Sequence, residues 1–360
     1  MSGGILTTHV GSLPRPHDLL DLMKAKVAGQ PFDRRRYDER VKSAVGECVR
    51  QQAACGIDIV ADGEQSKPGF FTYVKERLTG FEARPGMKVP FFDAERAAFP
   101  EYYQEYFGRA MTGGAVAPVV PMVCTGPVTY CGQEPLRRDI DNLKAALAAT
   151  GVRAAFMPSV APSGAGRNEY YKSEEEFFFA VADAMRPEYR AIVDAGFYLQ
   201  VDDPFMTDLF GDPAIDPAAR RRLAKIHVDA INHALRGIAP EKVRFHTCYG
   251  INEGPRVHDP AFADVAGFML QVNAGAYSFE AANARHEHEY HLWEKLKLAD
   301  GKVLIPGVIT HASNIVEHPE LIAERLARFA RLVGRERVIA GADCGFSSQA
   351  TYKPEVHPTV

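Results

Sequence analysis

Eight apolar runs of strand character alternate with helix-spaced segments, and this alternation most narrows what the chain can fold into. The runs cover residues 7–12, 57–64, 152–160, 196–203, 243–248, 276–280, 303–309 and 338–342. Helical spacing is clear over 35–55, where Val41, Ala44, Val45, Cys48 and Val49 recur on one face and Gly56 ends the run. Further helices are expected over 139–149, 173–195, 218–235, 261–270, 286–298 and 319–333. Ser173 followed by Glu176 is a capping-box spacing, and Pro187 offers a break in that helix. A repeated strand–helix unit makes a parallel sheet. The first choice is an α/β fold, a (β/α)8 TIM barrel, with a doubly wound open sheet as the alternative.

The strand ends favour the barrel. Ser12, Glu64, Asp202, His246, Cys248, Glu280, His311 and Cys344 all stand at or just beyond the C-terminal end of a run. A barrel brings those ends to one mouth, whereas an open sheet spreads them along an edge. A length of 360 residues fits a single catalytic barrel over 1–360. Residues 65–150 are less regular and rich in aromatics and glycine, with Phe70, Phe71, Tyr73, Phe91, Phe92, Tyr102, Tyr103, Tyr106 and Phe107. They read as an excursion over the barrel mouth, carrying a β-hairpin over 116–131 that turns at Thr125-Gly126-Pro127. The 16 residues after Cys344 are short for a complete eighth helix, so the last face is expected to be capped incompletely or by a partner, with a homo-oligomer one way to do so.

Composition excludes some classes. Hydrophobic content of 46%, charged content of 24% and a net charge of -4 give no global bias towards nucleic acid or an anionic membrane. No apolar run approaches the ~18 residues of a membrane span, and the N-terminus lacks a basic stretch followed by an apolar core. A cytoplasmic enzyme is the expectation. Six cysteines scattered along such a chain point to thiols or metal ligands rather than disulfides.

The residues at the mouth carry a specific chemistry. His246 and Cys248 are two apart on a strand and so share a face. With Glu280 from the sixth run and Cys344 from the eighth they make a four-ligand zinc set. Zinc held by two thiolates is electron-rich, and it suits holding a further thiol as thiolate better than activating water. Taken singly, Glu280 also suits a salt bridge at the mouth, and His311 a hydrogen-bonded interior position. Cys48 and Cys55 read as small core residues on a helix, and Cys124 and Cys131 as structural. His286 and His288 read as a solvated helix start. Arg285 suits either an anion or a structural salt bridge.

These motifs resemble cobalamin-independent methionine synthase, specifically its catalytic C-terminal barrel, and the single-barrel members grouped with epoxyalkane:coenzyme M transferase. The matching segments are His246-Thr247-Cys248, Ser278-Phe279-Glu280, Asp343-Cys344-Gly345 and Pro306-Gly307-Val308-Ile309-Thr310-His311. Val10-Gly11-Ser12, Asp62-Gly63-Glu64 and Gln200-Val201-Asp202 match segments that hold the amino-acid part of homocysteine. The fold is then the barrel shared with uroporphyrinogen decarboxylase. The resemblance implies a zinc-dependent alkyltransferase, most simply methyl transfer to homocysteine giving methionine. The alternative is opening of an epoxide by the zinc-bound thiolate of coenzyme M. Ser12 would bind the acceptor's carboxylate, Glu64 and Asp202 its ammonium, and His311 would handle the proton of the leaving group. The donor would be methyltetrahydrofolate, methylcobalamin or an epoxide. The segment Tyr249–Pro255 and the run Glu280–Glu287 depart from methionine synthase and look like the single-barrel relatives. A zinc-free decarboxylase and a non-catalytic zinc protein are the readings from other classes.

Overall fold

The structure is a computed structural model that describes residues 4–87, 92–108, 115–117, 119–250 and 254–360. Phe91 and part of the Tyr249–Pro255 segment lie outside them. The strands in chain order are β1 (Ile59–Val60), β2 (Phe81–Ala83), β3 (Met122–Cys124), β4 (Ala154–Val160), β5 (Arg167–Asn168), β6 (Tyr198–Asp202), β7 (Val243–His246), β8 (Ala276–Phe279), β9 (Val303–Ile309) and β10 (Gly341–Ala342). Seven of them form one parallel sheet in the order β1-β4-β6-β7-β8-β9-β10. The first apolar run closes it. Thr7 bridges Ala340 and Thr8 bridges Ile59, both in parallel sense. The closing bonds run from Thr8 N to Ala340 O at 2.8 Å and from Ile59 N to Thr7 O at 3.1 Å. The result is the expected (β/α)8 barrel rather than an open sheet.

Alternation decides which side chains fill the lumen. Along β7, Val243 and Phe245 join the large apolar core together with residues of the surrounding helices. Arg244 and His246 fall on the other face. Arg244 is buried there, its guanidinium centred 3.9 Å from the Phe156 ring and bonded to Thr8 Oγ1 at 3.0 Å and His9 O at 2.7 Å. Phe156 belongs to a separate small cluster with Ile59 and Ala61. The lumen is thus a packed stack: an apolar layer, the Arg244 layer, then polar side chains towards the mouth. Register places Asp202 beside His246, and His246 beside Ser278.

The helix Glu174–Asp194 starts as its sequence predicts, with the Ser173 hydroxyl accepting from Glu176 N at 3.1 Å. Pro187 does not break it. Tertiary bonds just beyond the proline hold the helix in place: Tyr189 donates to Val160 O at 2.7 Å, and Glu188 accepts from Tyr73, Tyr130, Ser159 and Arg77. The expected helix over 139–149 begins earlier, at Gln133–Thr150. The segment expected as a helix over 286–298 is instead a 3₁₀ turn, Glu287–Glu294. The i,i+3 pairs His286–Glu289 at 2.8 Å and His291–Glu294 at 2.6 Å suit three residues per turn.

The segment 116–131 is not a hairpin closed on itself. Pro118, Pro121 and Pro127 remove N–H donors from both arms. β3 instead pairs antiparallel with β2 and parallel with β5, while Ala115 bridges Thr351. Residues 345–360 form no helix. They run back across the strand ends, with Phe70 N bonded to Ser348 O and Ala350 N bonded to Pro68 O. Among the described residues no helix is long and apolar enough to cross a membrane.

The buried ion group between Arg77, Asp139 and Glu188 ties the excursion to two barrel helices, at 2.7 Å and 3.2 Å. Arg77→Ala leaves two buried carboxylates without their cation and is expected to cost about 3–5 kcal/mol. Urea unfolding monitored by circular dichroism measures this, and a loss below ~1 kcal/mol would show that the group contributes little.

Candidate metal centre and acceptor pocket

Three side chains converge at the mouth. The ligand atoms of His246, Cys248 and Cys344 all lie within 4.8 Å of one another. His246 and Cys248 are buried, and Cys344 keeps partial exposure. The His246 ring is oriented by Ser278 Oγ, 3.1 Å from Nδ1, while its buried Nε2 has no hydrogen-bond partner. Burial, then the Arg244 charge and the neighbouring His311, lower the His246 pKa to about 3, which keeps the imidazole neutral. The Cys248 thiol is pushed well above its ordinary value by its hydrogen bond with Cys344 and by burial. Thr207 fixes the backbone here by donating to Cys248 O.

An orphaned neutral imidazole nitrogen facing two touching thiols is the donor set of a soft cation. The residues fit zinc: only a cation would turn both thiols into thiolates and complete the Nε2. Glu280 is not among the three whose ligand atoms meet within 4.8 Å. Its Oε1 accepts from Tyr249 N at 2.9 Å and its Oε2 from Asn283 Nδ2 at 2.8 Å. Asp343, next to Cys344, accepts from the same Asn283 at 3.0 Å and from Ala281 N and Ala282 N. Burial and the Asp343 charge raise Glu280 to about 7. Gly307 makes room for this arrangement: a Cβ there would meet Asp343 Oδ1 at 2.0 Å.

Ser12, Glu64 and Asp202 line the same pocket as His246, Cys248 and Cys344. Ser12 is brought in by Gly345, where a Cβ would lie 2.0 Å from Ser12 Oγ. Asp202 is buried and accepts from Gln200 Nε2 at 2.8 Å, and burial and the Glu64 charge raise its carboxyl well above the usual range. Glu64 sits in the left-handed region, with φ 55°. Its Oε1 pairs with the buried Lys67 Nζ at 3.0 Å. His311 is buried but is not part of the pocket lining, and burial, then the Arg285 charge, lower it to about 3. As folded it is a neutral imidazole.

Sequence reasoning missed Asp208, which lines the pocket near Gly250 and whose carboxyl burial raises to about 7. Its place six residues past Asp202, on the helix Phe205–Gly211, was the available signal. The aromatic walls Phe70, Phe71, Phe92, Tyr106 and Phe205 come largely from the excursion. Arg285 is paired with Asp259, both oxygens at 2.7 Å. His286 is not solvated as expected: it is buried, stacked 3.6 Å from the Tyr249 ring and bonded to Glu289. The stack on Tyr249 draws it in. Cys48 and Cys124 are buried, but Cys55, just past its helix, and Cys131 are exposed.

Known proteins share this architecture. Residues 5–155 match the family model of the cobalamin-independent synthase catalytic domain. The methionine synthase of Sulfolobus acidocaldarius is 26% identical over 342 residues, covering 94% of this chain and 85% of its own length. That of Thermococcus kodakarensis is 23% identical over 345 residues, covering 94% and 86%. The B12-independent methionine synthase of Shewanella sp. W3-18-1, solved with selenomethionine, superposes with a TM-score of 0.73 at 20% identity, covering 96% of this chain and 93% of that one. A putative vitamin-B12-independent methionine synthase from Listeria monocytogenes gives 0.66 at 19%, with the same coverage. The two solved structures agree with the barrel fold. Over 94% of its length the chain is similar to proteins named methionine synthase, and its residues 5–155 match the catalytic domain of the cobalamin-independent synthases.

Proposed function

We propose that this protein transfers a methyl group to the thiol of homocysteine, giving methionine, at a zinc site held by His246, Cys248 and Cys344. The observation that carries the reading is one pocket lined both by these three donors and by Ser12, Glu64 and Asp202. The sequence relatives named methionine synthase support it. When bound, zinc supplies one thing: it keeps the acceptor sulfur as a thiolate at neutral pH. Glu280, bonded to Tyr249 N and Asn283, is the reserve fourth ligand.

The chain's own residues do the rest. Ser12 donates to the acceptor carboxylate, and Glu64 receives its ammonium through a charge-assisted bond. Asp202 lies beside Glu64 as the second acceptor for that ammonium. Fixing the acceptor at both ends aligns its sulfur with the incoming methyl group, which converts an encounter into a positioned reaction. The aromatic walls exclude water from the reacting atoms. Asp208, raised to about 7, lines the pocket and can give a proton to the departing donor, and His311, held neutral beyond the lining, can relay one.

Coenzyme M is disfavoured as acceptor by the charge of the pocket. Its described lining holds Glu64, Asp202, Asp208 and Glu355 but no Lys or Arg, so it offers partners to the amine of homocysteine, a group that coenzyme M lacks.

Cys248→Ser and Cys344→Ser are expected to lose most bound zinc, read by elemental analysis, together with methionine formation. Full zinc occupancy in both would overturn the site. His311→Ala should keep zinc and slow turnover, and a wild-type rate would remove His311 from the reaction. Glu64→Gln should raise KM for homocysteine by about tenfold.

Asp202 gives a pH test. Its folded-state pKa is raised, so the native state holds a proton that the unfolded chain has released above the usual value near ~4. Stability therefore falls as pH rises from there towards the raised value. Asp202→Asn removes that slope. The acceptor-free variant should melt about 2–4 °C higher at pH 8 and gain less at pH 5, while binding homocysteine more weakly. An equal gain at both pH values would show that Asp202 is not held protonated.

A further inference from the structure

Behind Glu64, on the side away from the acceptor, lies a buried lysine that the chemistry above does not use. Lys67 Nζ donates to Glu64 Oε1 at 3.0 Å and to Pro158 O at 2.7 Å, and it sits 4.3 Å from the centre of the Tyr73 ring. Its three N–H groups are thereby occupied. Lysine and glutamate side chains are 5% and 2% exposed, so neither end of the pair is screened by water. Lys67 is not in the lining of the acceptor pocket, whereas Glu64 is.

The backbone between the two is built for this contact. Glu64 takes the left-handed conformation, which costs a non-glycine residue about 1–3 kcal/mol. The turn is held by Asp62 Oδ1 accepting from Glu64 N at 2.9 Å and by Lys67 N donating to Glu64 O at 3.0 Å. Arg15 Nη2 bonds both Glu64 O, at 2.9 Å, and Lys67 O, at 3.0 Å. One carboxylate oxygen is committed to Lys67, and Glu64 Oε2 makes no hydrogen bond to a described residue. The Lys67 bond therefore fixes the orientation of the carboxylate and leaves its other oxygen for the pocket.

We propose that Lys67 is a positioning residue that holds the Glu64 carboxylate aimed at the ammonium of the thiol acceptor, and so sets the preference for acceptors that carry an amine. This rests on the reading that Glu64 meets that ammonium. Lys67 touches neither acceptor nor metal, so its loss should weaken only acceptors with an amine.

The test uses the zinc-loaded protein without any methyl donor. Isothermal titration compares homocysteine with 3-mercaptopropionate, a thiol that has the carboxylate and lacks the amine. Lys67→Met should weaken homocysteine about tenfold and leave 3-mercaptopropionate within about twofold, and Lys67→Arg should recover most of the loss. Equal weakening of both thiols, or none, overturns the proposal. Glu64→Gln in the same titration separates the two layers. If it leaves homocysteine affinity intact, the amine reading of Glu64 fails. If it weakens homocysteine while Lys67→Met does not, only the role of Lys67 fails. Wild-type protein gives a readout independent of how the variants fold. The ¹H–¹⁵N signal of the Lys67 ammonium should shift on adding homocysteine and stay put with 3-mercaptopropionate. A signal that ignores homocysteine overturns the proposal.

Discussion

Everything at the mouth depends on the bonds that close the sheet. Two residues, Thr7 and Thr8, stand between Ala340 and Ile59 and join its first and last strands. Closure removes the free edges and turns seven strand ends and one short bridge into a ring. Only in a ring do β7 and the end of β10 present His246, Cys248 and Cys344 to one another. The same closure brings Ser12, near the start of the chain, to Gly345, near its end. Long-range order of this kind is slow to form, because loop-closure entropy is lost before the contacts that offset it appear.

The lumen then sets the electrostatics. Carboxyls and imidazoles are placed where water is scarce, and burial moves them in opposite directions: Asp202, Asp208 and Glu280 upward, His246 and His311 downward. For these five groups burial favours the uncharged form. Such a pocket is short of cations at its surface and keeps its lysine and arginines behind it, as Lys67, Arg15 and Arg244 show. A positively charged ligand group is the natural complement.

Much of this was legible in the sequence. Eight apolar runs at the right spacing foretold the barrel, because parallel strands buried on both faces read as continuous apolar stretches. His246 and Cys248 were readable as a pair because strand alternation fixes their common face. Cys344 was readable because barrel strands end at one mouth. Other features depend on partners that sequence spacing does not reveal. Pro187 looked like a break until Glu188 and Tyr189 were seen held by bonds from across the fold. The segment 116–131 carried the prolines that forbid its self-pairing, yet its true partner, β2, lies some forty residues upstream. His286 resembled a surface residue because nothing local announces the Tyr249 ring that covers it. Glu280 lies near His246, Cys248 and Cys344, but its carboxylate is engaged with Tyr249 N and Asn283, an arrangement no spacing rule encodes. Asp208 went unnoticed because it sits on a helix after a strand, outside the strand-end rule.

The tail that crosses the strand ends has a consequence for how the pocket comes into being. Its walls include Ser12 from the start of the chain and Phe346, Gln349, Thr351 and Glu355 from near its end. A polypeptide leaves the ribosome N-terminus first, at about 5–20 residues per second. Helix and strand units can collapse as they emerge, but this pocket has no complete wall until residues 346–355 have packed across the strand ends, so its assembly joins segments from both ends of the barrel.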